Sequence, residues 1–163
     1  MEQFIVFAYC GVAATALVDL WALARSALFD TPLPNYRLVG RWIGHMPGGR
    51  FLHDSIAKAT PVRGEALIGW GTHYLVGVAF AFLLLAAAGP SWLERPTLTP
   101  AQLVGAATVA APFLVMQPAM GAGFVASRTP RPGAARLQSI VTHIVFGLGL
   151  YAAGLFINSY ITI

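Results

Sequence analysis

The sequence predicts an all-α, polytopic membrane protein: four transmembrane helices in a bundle, with a structured cytoplasmic loop between the first and the second. Three observations predict it. The chain is 57% apolar and 10% charged, where a soluble domain carries about a quarter charged residues. The charges are clustered, so residues 66–93, 96–127 and 137–163 contain no Asp, Glu, Lys or Arg. The ten basic residues are placed unevenly. Arg25, Arg37, Arg41, Arg50, Lys58 and Arg63 precede the second apolar stretch, Arg128, Arg131 and Arg136 lie between the third and fourth, and Arg95 stands alone on the opposite side.

A span needs about 20 apolar residues at about 1.5 Å rise each. That length places spans near 4–28, 66–89, 101–125 and 137–160 in a single transmembrane domain covering 1–163. For the first stretch the alternative is a cleaved signal peptide, because Ala22-Leu23-Ala24 fits an A-x-A pattern. The missing basic n-region and Asp19 inside the apolar run argue for retention. Bulky Tyr9 before Cys10 argues against a lipoprotein anchor, and a lone cysteine excludes an intramolecular disulfide.

In the 30–65 loop, Asn35 is placed to cap a short segment through Tyr36, Arg37, Arg41 and Trp42, which reads as an interfacial amphipathic helix. Pro47-Gly48-Gly49 makes a turn, and a second short helix is expected over Arg50–Ala59. A solvated linker is the plainer alternative. The outer connection Gly89–Pro96 is proline-rich, with Trp92 as an interfacial anchor. Thr129-Pro130-Arg131-Pro132-Gly133 breaks any helix before the fourth span. The positive-inside bias puts both termini outside and the 30–65 and 126–136 loops in the cytoplasm. The pI near 9.7 then reflects topology and contact with anionic lipid in the bilayer, not nucleic-acid binding.

A weak 2+2 internal repeat is visible. Thr72-His73-Tyr74-Leu75-Val76-Gly77 matches Thr142-His143-Ile144-Val145-Phe146-Gly147, and Gly11–Thr15 loosely matches Gly105–Thr108. Such a repeat relates two halves by an axis along the membrane normal.

Each apolar stretch carries a polar or sulfur-bearing group. These are Asp19, His73, the cluster Met116, Gln117 and Met120, and His143. Ionisable residues inside a span are costly and by default raise a functional-site hypothesis. Counted along the helices, all lie about 9–18 Å from the nearest cytoplasmic charge, a level at which they converge if the helices form a bundle. Small residues flank each histidine on its own face, Gly77 beside His73 and Gly147 beside His143. They leave room for a macrocycle such as haem b with two axial histidines. Equally, small residues let helices approach and a histidine hydrogen-bond across. Met116 and Met120 are one turn apart, and thioethers favour Cu(I). Methionine is otherwise an ordinary core filler. Asp19, His73, Met116, Met120 and His143 thus make a candidate copper or other transition-metal site, with Gln117 nearby. Asp19 pairs with a histidine in one reading and is capped within its own helix in the other. His45, His53 and Asp54 flank the Pro47–Gly49 turn as secondary candidates for an entry site, against a plain interfacial role.

No Walker loop, G-x-S-x-G, H-E-x-x-H or C-x-x-C occurs, which favours a role other than an enzyme's. Val18-Asp19-Leu20-Trp21, Gly40-Arg41-Trp42-Ile43-Gly44-His45-Met46, Phe51-Leu52-His53-Asp54-Ser55, Met116–Gly123 and Phe146–Tyr151 resemble a family of small bacterial inner-membrane proteins classed as a domain of unknown function. The resemblance covers nearly the whole chain and implies a multi-pass bacterial inner-membrane location, but no activity. Three function classes therefore stand. The leading one binds haem or a transition metal in the bundle core for electron transfer or metal handling. The others are a small-solute carrier or proton-coupled permease, and a non-catalytic subunit or assembly factor in a homo-oligomer or membrane complex.

Overall fold

Four helices are long and apolar enough to cross a membrane: Gln3–Phe29, Glu65–Ala88, Leu98–Ala119 and Pro132–Tyr160. The computed structural model describes residues 2–160. Met1 and 161–163, on which the expectation for the outermost chain ends falls, lie outside the described residues. Among the described residues there is no β-strand.

Helix α1 (Glu2–Phe29) contains no proline and is apolar on all sides, as a span is. Phe4, Ile5, Leu20 and Leu23 stand exposed on it, as lipid-facing residues would. It stops where Asp30 turns left-handed at φ 49 and the Thr31 hydroxyl donates to the Arg25 carbonyl at 3.0 Å, satisfying one of the last orphan acceptors. Helix α2 (Tyr36–His45) is amphipathic, and Gly49 at φ 75 closes the 3-10 turn that follows it. Asn35 precedes α2 without a side-chain cap bond.

The second loop helix expected over 50–59 is reduced to a 3-10 turn at Ile56–Lys58. Its backbone donors are used elsewhere. His53 N–H donates to the Ala119 carbonyl at 2.9 Å and Ile56 N–H to the Met120 carbonyl at 3.1 Å. Helix α3 (Glu65–Ala88) opens with the Glu65 carboxylate accepting the Val62 N–H at 3.2 Å, a helix-start device.

The third span is interrupted. Helix α4 (Leu98–Ala107) is followed by a π-turn at Pro112–Met116 and by the three-residue α5 (Gln117–Ala119). Pro112 and Pro118 lack the N–H that a regular helix needs. Gly121 at φ 94 and Gly123 at φ 74 end the span at 119, short of the expected 125. Helix α6 (Pro132–Tyr160) starts on proline, five residues before the expected 137. At a first helical position the missing N–H costs nothing and the fixed φ helps.

The chain divides into two compact units. The first draws on the chain up to Leu33, Tyr74–Thr108 and the chain from Val141. Its core holds Phe7, Cys10, Ala14, Leu84, Leu93, Leu150 and Ile157. Here helices meet backbone to backbone. A Cβ on Gly11 would stand 2.6 Å from Val78 Cα, on Gly105 2.7 Å from Gly147 Cα, and on Gly149 2.7 Å from Ala14 Cα. Small residues permit this approach between apolar helices. Trp92, expected as an interfacial anchor, is instead buried at 5% exposure, where it donates to the Thr97 carbonyl and fills the space beside Gly154.

The second unit comprises Pro34–His73 and Val109–Ile140. Arg41 is its hub. Its guanidinium grips Glu65 through two nitrogens, at 2.8 and 3.1 Å, and donates to the carbonyls of Ile56, Ala57 and Ala59. Gly40 and Gly69 let α2 and the start of α3 touch through their backbones, since a Cβ on either would run into the facing carbonyl of Glu65 or Tyr36.

Candidate functional site

In the first unit Asp19, Thr108 and His143 are bonded to neighbouring groups, as hydrocarbon demands, whereas the buried Arg25 Nε has no hydrogen-bond partner among the described residues. Asp19 accepts the Tyr74 hydroxyl at 2.9 Å. Tyr74 is a partner that the sequence signals only as a phenol beside a histidine in an apolar run. Thr108 Oγ1 donates to the Gly105 carbonyl at 2.6 Å and lies 2.9 Å from His143 Nδ1. A carbonyl can only accept, so the network places the imidazole proton on Nδ1 and leaves Nε2 as a lone pair. Phe80 stands 6.2 Å from that ring.

The space beside the two flanking glycines is filled. At Gly77 a Cβ would meet the Thr15 hydroxyl, and at Gly147 it would stand 2.9 Å from the Ala101 carbonyl. The strips expected to leave room for a macrocycle are thus taken by neighbouring helices.

The second unit holds the remaining candidates. The His73 ring stacks on Tyr36 with centroids 4.0 Å apart and interplanar angle 22°, while Trp70 lies edge-on to both. Met116 ends the π-turn, and its carbonyl accepts the Met120 N–H at 2.9 Å. Gln117 donates to Ser139 Oγ at 3.3 Å, and its buried Oε1 has no hydrogen-bond partner among the described residues. His45 donates from Nε2 to the Thr60 carbonyl at 2.9 Å, and its ring centroid is 5.1 Å from that of His53. Among the described residues, no group of three or more His, Cys, Asp or Glu side chains is placed to hold a metal ion.

The segment from His53 to Ser55 and the turn after the interrupted span face one cavity of ≈ 830 Å³. Its walls include Arg50, His53, Asp54, Lys58, Ser127 and Arg128. Gly121 makes the junction, because a Cβ there would run into the Asp54 carbonyl. His53 is 9% exposed, and neither ring nitrogen has a partner among the described residues. Burial, then the positive charges of His45 and Arg50, holds its pKa below the ordinary histidine value, so at neutral pH it is an uncharged imidazole. Arg41, by contrast, is pushed above its usual range by its bond to Glu65.

His53 and Asp54 stand out in the sequence, but the three cations around them do not. Arg50 and Lys58 read there as topology markers, and Arg128 becomes a neighbour only through the fold. The Arg41–Glu65 grip is equally unmarked in the sequence, although Arg37 and Arg41 at i, i+4 share a face. Arg37 also reaches Glu65, at 3.2 Å.

No curated protein and no solved structure matches this chain. One family model does, over residues 8–157, under the description Protein of unknown function (DUF2938). By that match across nearly its whole length, the chain belongs to the DUF2938 family.

Proposed function

We propose that this protein is a multi-pass carrier of the bacterial inner membrane, taking a small polar solute through the cavity of its second unit. In this reading the spans form a bundle, and the basic residues crowded on the 30–65 and 126–136 loops favour cytoplasmic loops and termini outside. The observation that carries the reading is the cavity itself. It is a half-open hollow with the volume of a small-molecule site, and charged and hydroxyl side chains stand in its wall beside Leu52, Pro118 and Phe124. It also lies against the end of a span that Pro112 and Pro118 interrupt and two left-handed glycines close. Interrupted helices whose freed backbone groups line a cavity are how transporters build substrate sites.

The test is uptake into proteoliposomes of phosphatidylcholine, with inorganic phosphate, citrate and glucose as probes. The reading expects saturable uptake of at least one probe that falls in Lys58→Gln/Arg128→Gln. Uptake no faster than in protein-free vesicles for all three would overturn it.

Haem or transition-metal binding in the bundle core is the competing proposal. The observation in its favour is the 2.9 Å contact of His143 Nδ1 with Thr108 Oγ1, which uses that nitrogen and leaves Nε2 as the candidate ligand atom. An absorption spectrum of the purified protein with metal analysis decides it: a Soret band selects haem, and stoichiometric metal without one selects an ion site.

A further inference from the structure

The cavity of the second unit is cationic. Arg50, Lys58 and Arg128 line it, against the single carboxylate of Asp54. Among the described residues none of the three cations is ion-paired, while Arg37 and Arg41 are committed to Glu65. A metal cation is therefore repelled here and an anion attracted. Two of the cations are arginines, whose planar forks match the oxygens of a phosphate. Ser55 and Ser127 add hydroxyl donors to the wall.

The second observation is His53. Its neutral ring carries one N–H donor and one lone pair, and both nitrogens are sealed from solvent without a partner among the described residues. A buried polar group left in that state calls for an explanation. Backbone strain adjoins the same cavity, where β-branched Val125 sits at φ 51 and Ala126 at φ 56, between lining residues Phe124 and Ser127. Strain of this kind persists where the surroundings hold it in place, and it clusters at ligand sites.

We propose that this cavity binds a phosphate-bearing anion, clasped by Arg50, Lys58 and Arg128, with the His53 N–H turning toward it on entry. The inference rests on the solute-cavity reading above and adds the chemistry of the ligand. A free phosphate and the phosphodiester of an anionic lipid share that chemistry, and basic sites at the cytoplasmic side of membrane proteins take lipid headgroups.

The experiment measures binding, not flux. Wild type and Lys58→Gln/Arg128→Gln are purified in non-ionic detergent and titrated with radiolabelled inorganic phosphate. Both are also passed through phosphatidylcholine vesicles with and without phosphatidylglycerol, and retained lipid is weighed by native mass spectrometry. Phosphate binding that weakens about tenfold or more in the double variant identifies a free anion as the ligand. Retention of phosphatidylglycerol by wild type alone, without phosphate binding, identifies a lipid headgroup. Neither ligand bound, or both bound equally by the two proteins, overturns the proposal. Arg95→Gln, outside the cavity, serves as the charge control. Should the double variant fail to fold, the exposed Arg50→Gln is read in the same way. Binding without uptake sinks the carrier reading and leaves this site standing, so the two failures are distinguishable.

Discussion

The two units of the molecule solve opposite problems with the same chain. In the first, apolar helices meet through Gly11, Gly77, Gly105, Gly147 and Gly149, and its buried polar side chains such as Thr15 and Thr108 are spent on neighbouring backbone. In the second, the chain leaves regular helix repeatedly, at the 46–48 and 56–58 turns, the π-turn and the left-handed residues 121, 123, 125 and 126. There, among the described residues, Arg50, Lys58 and Arg128 line one cavity without an ion pair, beside a histidine whose two ring nitrogens have no partner; in the first unit Arg25 Nε is the lone buried side-chain atom of that kind among the described residues. The contrast teaches that a histidine in an apolar helix is weak evidence for a site, because the helix that carries it has ready uses for it. Polar groups left unsatisfied in irregular backbone are the stronger evidence.

The comparison can be broken first at the helix contacts. Gly105→Leu places a side chain where a Cβ alone stands 2.7 Å from Gly147 Cα and from the His143 carbonyl. Overpacking of that kind should cost about 3 kcal/mol or more, read as a lower thermal midpoint in detergent. A midpoint unchanged from wild type would mean that the first unit is not held by backbone contact.

The next effect belongs to the second unit. Arg41→Gln leaves Glu65, 4% exposed, without its main partner and frees three carbonyls, so the midpoint should fall well below that of Arg37→Gln. Arg37 is 65% exposed, and its pairing is screened by solvent and salt. Equal effects of the two variants would remove Arg41 as the hub.

Acid sharpens the comparison further. His53 has its pKa lowered in the fold, so the unfolded chain takes up a proton first. The stability linked to this group is complete above the unfolded value of about 6.5 and is lost as the pH falls through it toward the folded value. His45 and Arg50 face this ring and add to the penalty for protonation. The midpoint should drop as the pH falls below about 6.5, and His53→Asn should flatten the drop. A drop of the same size in the variant would assign it to other groups.

The smallest expected change is Tyr74→Phe, which deletes the hydrogen bond to Asp19. A polar contact between membrane helices contributes about 0.6 kcal/mol on average, so this variant should lie close to wild type. A loss as large as that of Gly105→Leu would show that the Asp19 pair organises the first unit.

The four long helices were legible in the sequence because apolar length and the absence of charge are local properties. So was the helix carrying Tyr36, Arg37, Arg41 and Trp42. The early end of the third span was written in Pro112, Pro118, Gly121 and Gly123, yet hydropathy averages over such residues. The missing helix at 50–59 was not legible, since it is lost to bonds with Ala119 and Met120, far away in sequence. The cavity was half legible. His53 and Asp54 stood out by type, whereas Arg128 faces it only because Gly121 and Gly123 turn the chain back.

The central claim is that ligand binding belongs to the irregular unit and not to the polar groups buried among the apolar helices. Phosphate binding compared in wild type, Asp19→Asn and Lys58→Gln/Arg128→Gln tests it most directly. The account predicts wild-type affinity in Asp19→Asn and about a tenfold or greater loss in the double variant. Loss in Asp19→Asn with full binding in the double variant would contradict it.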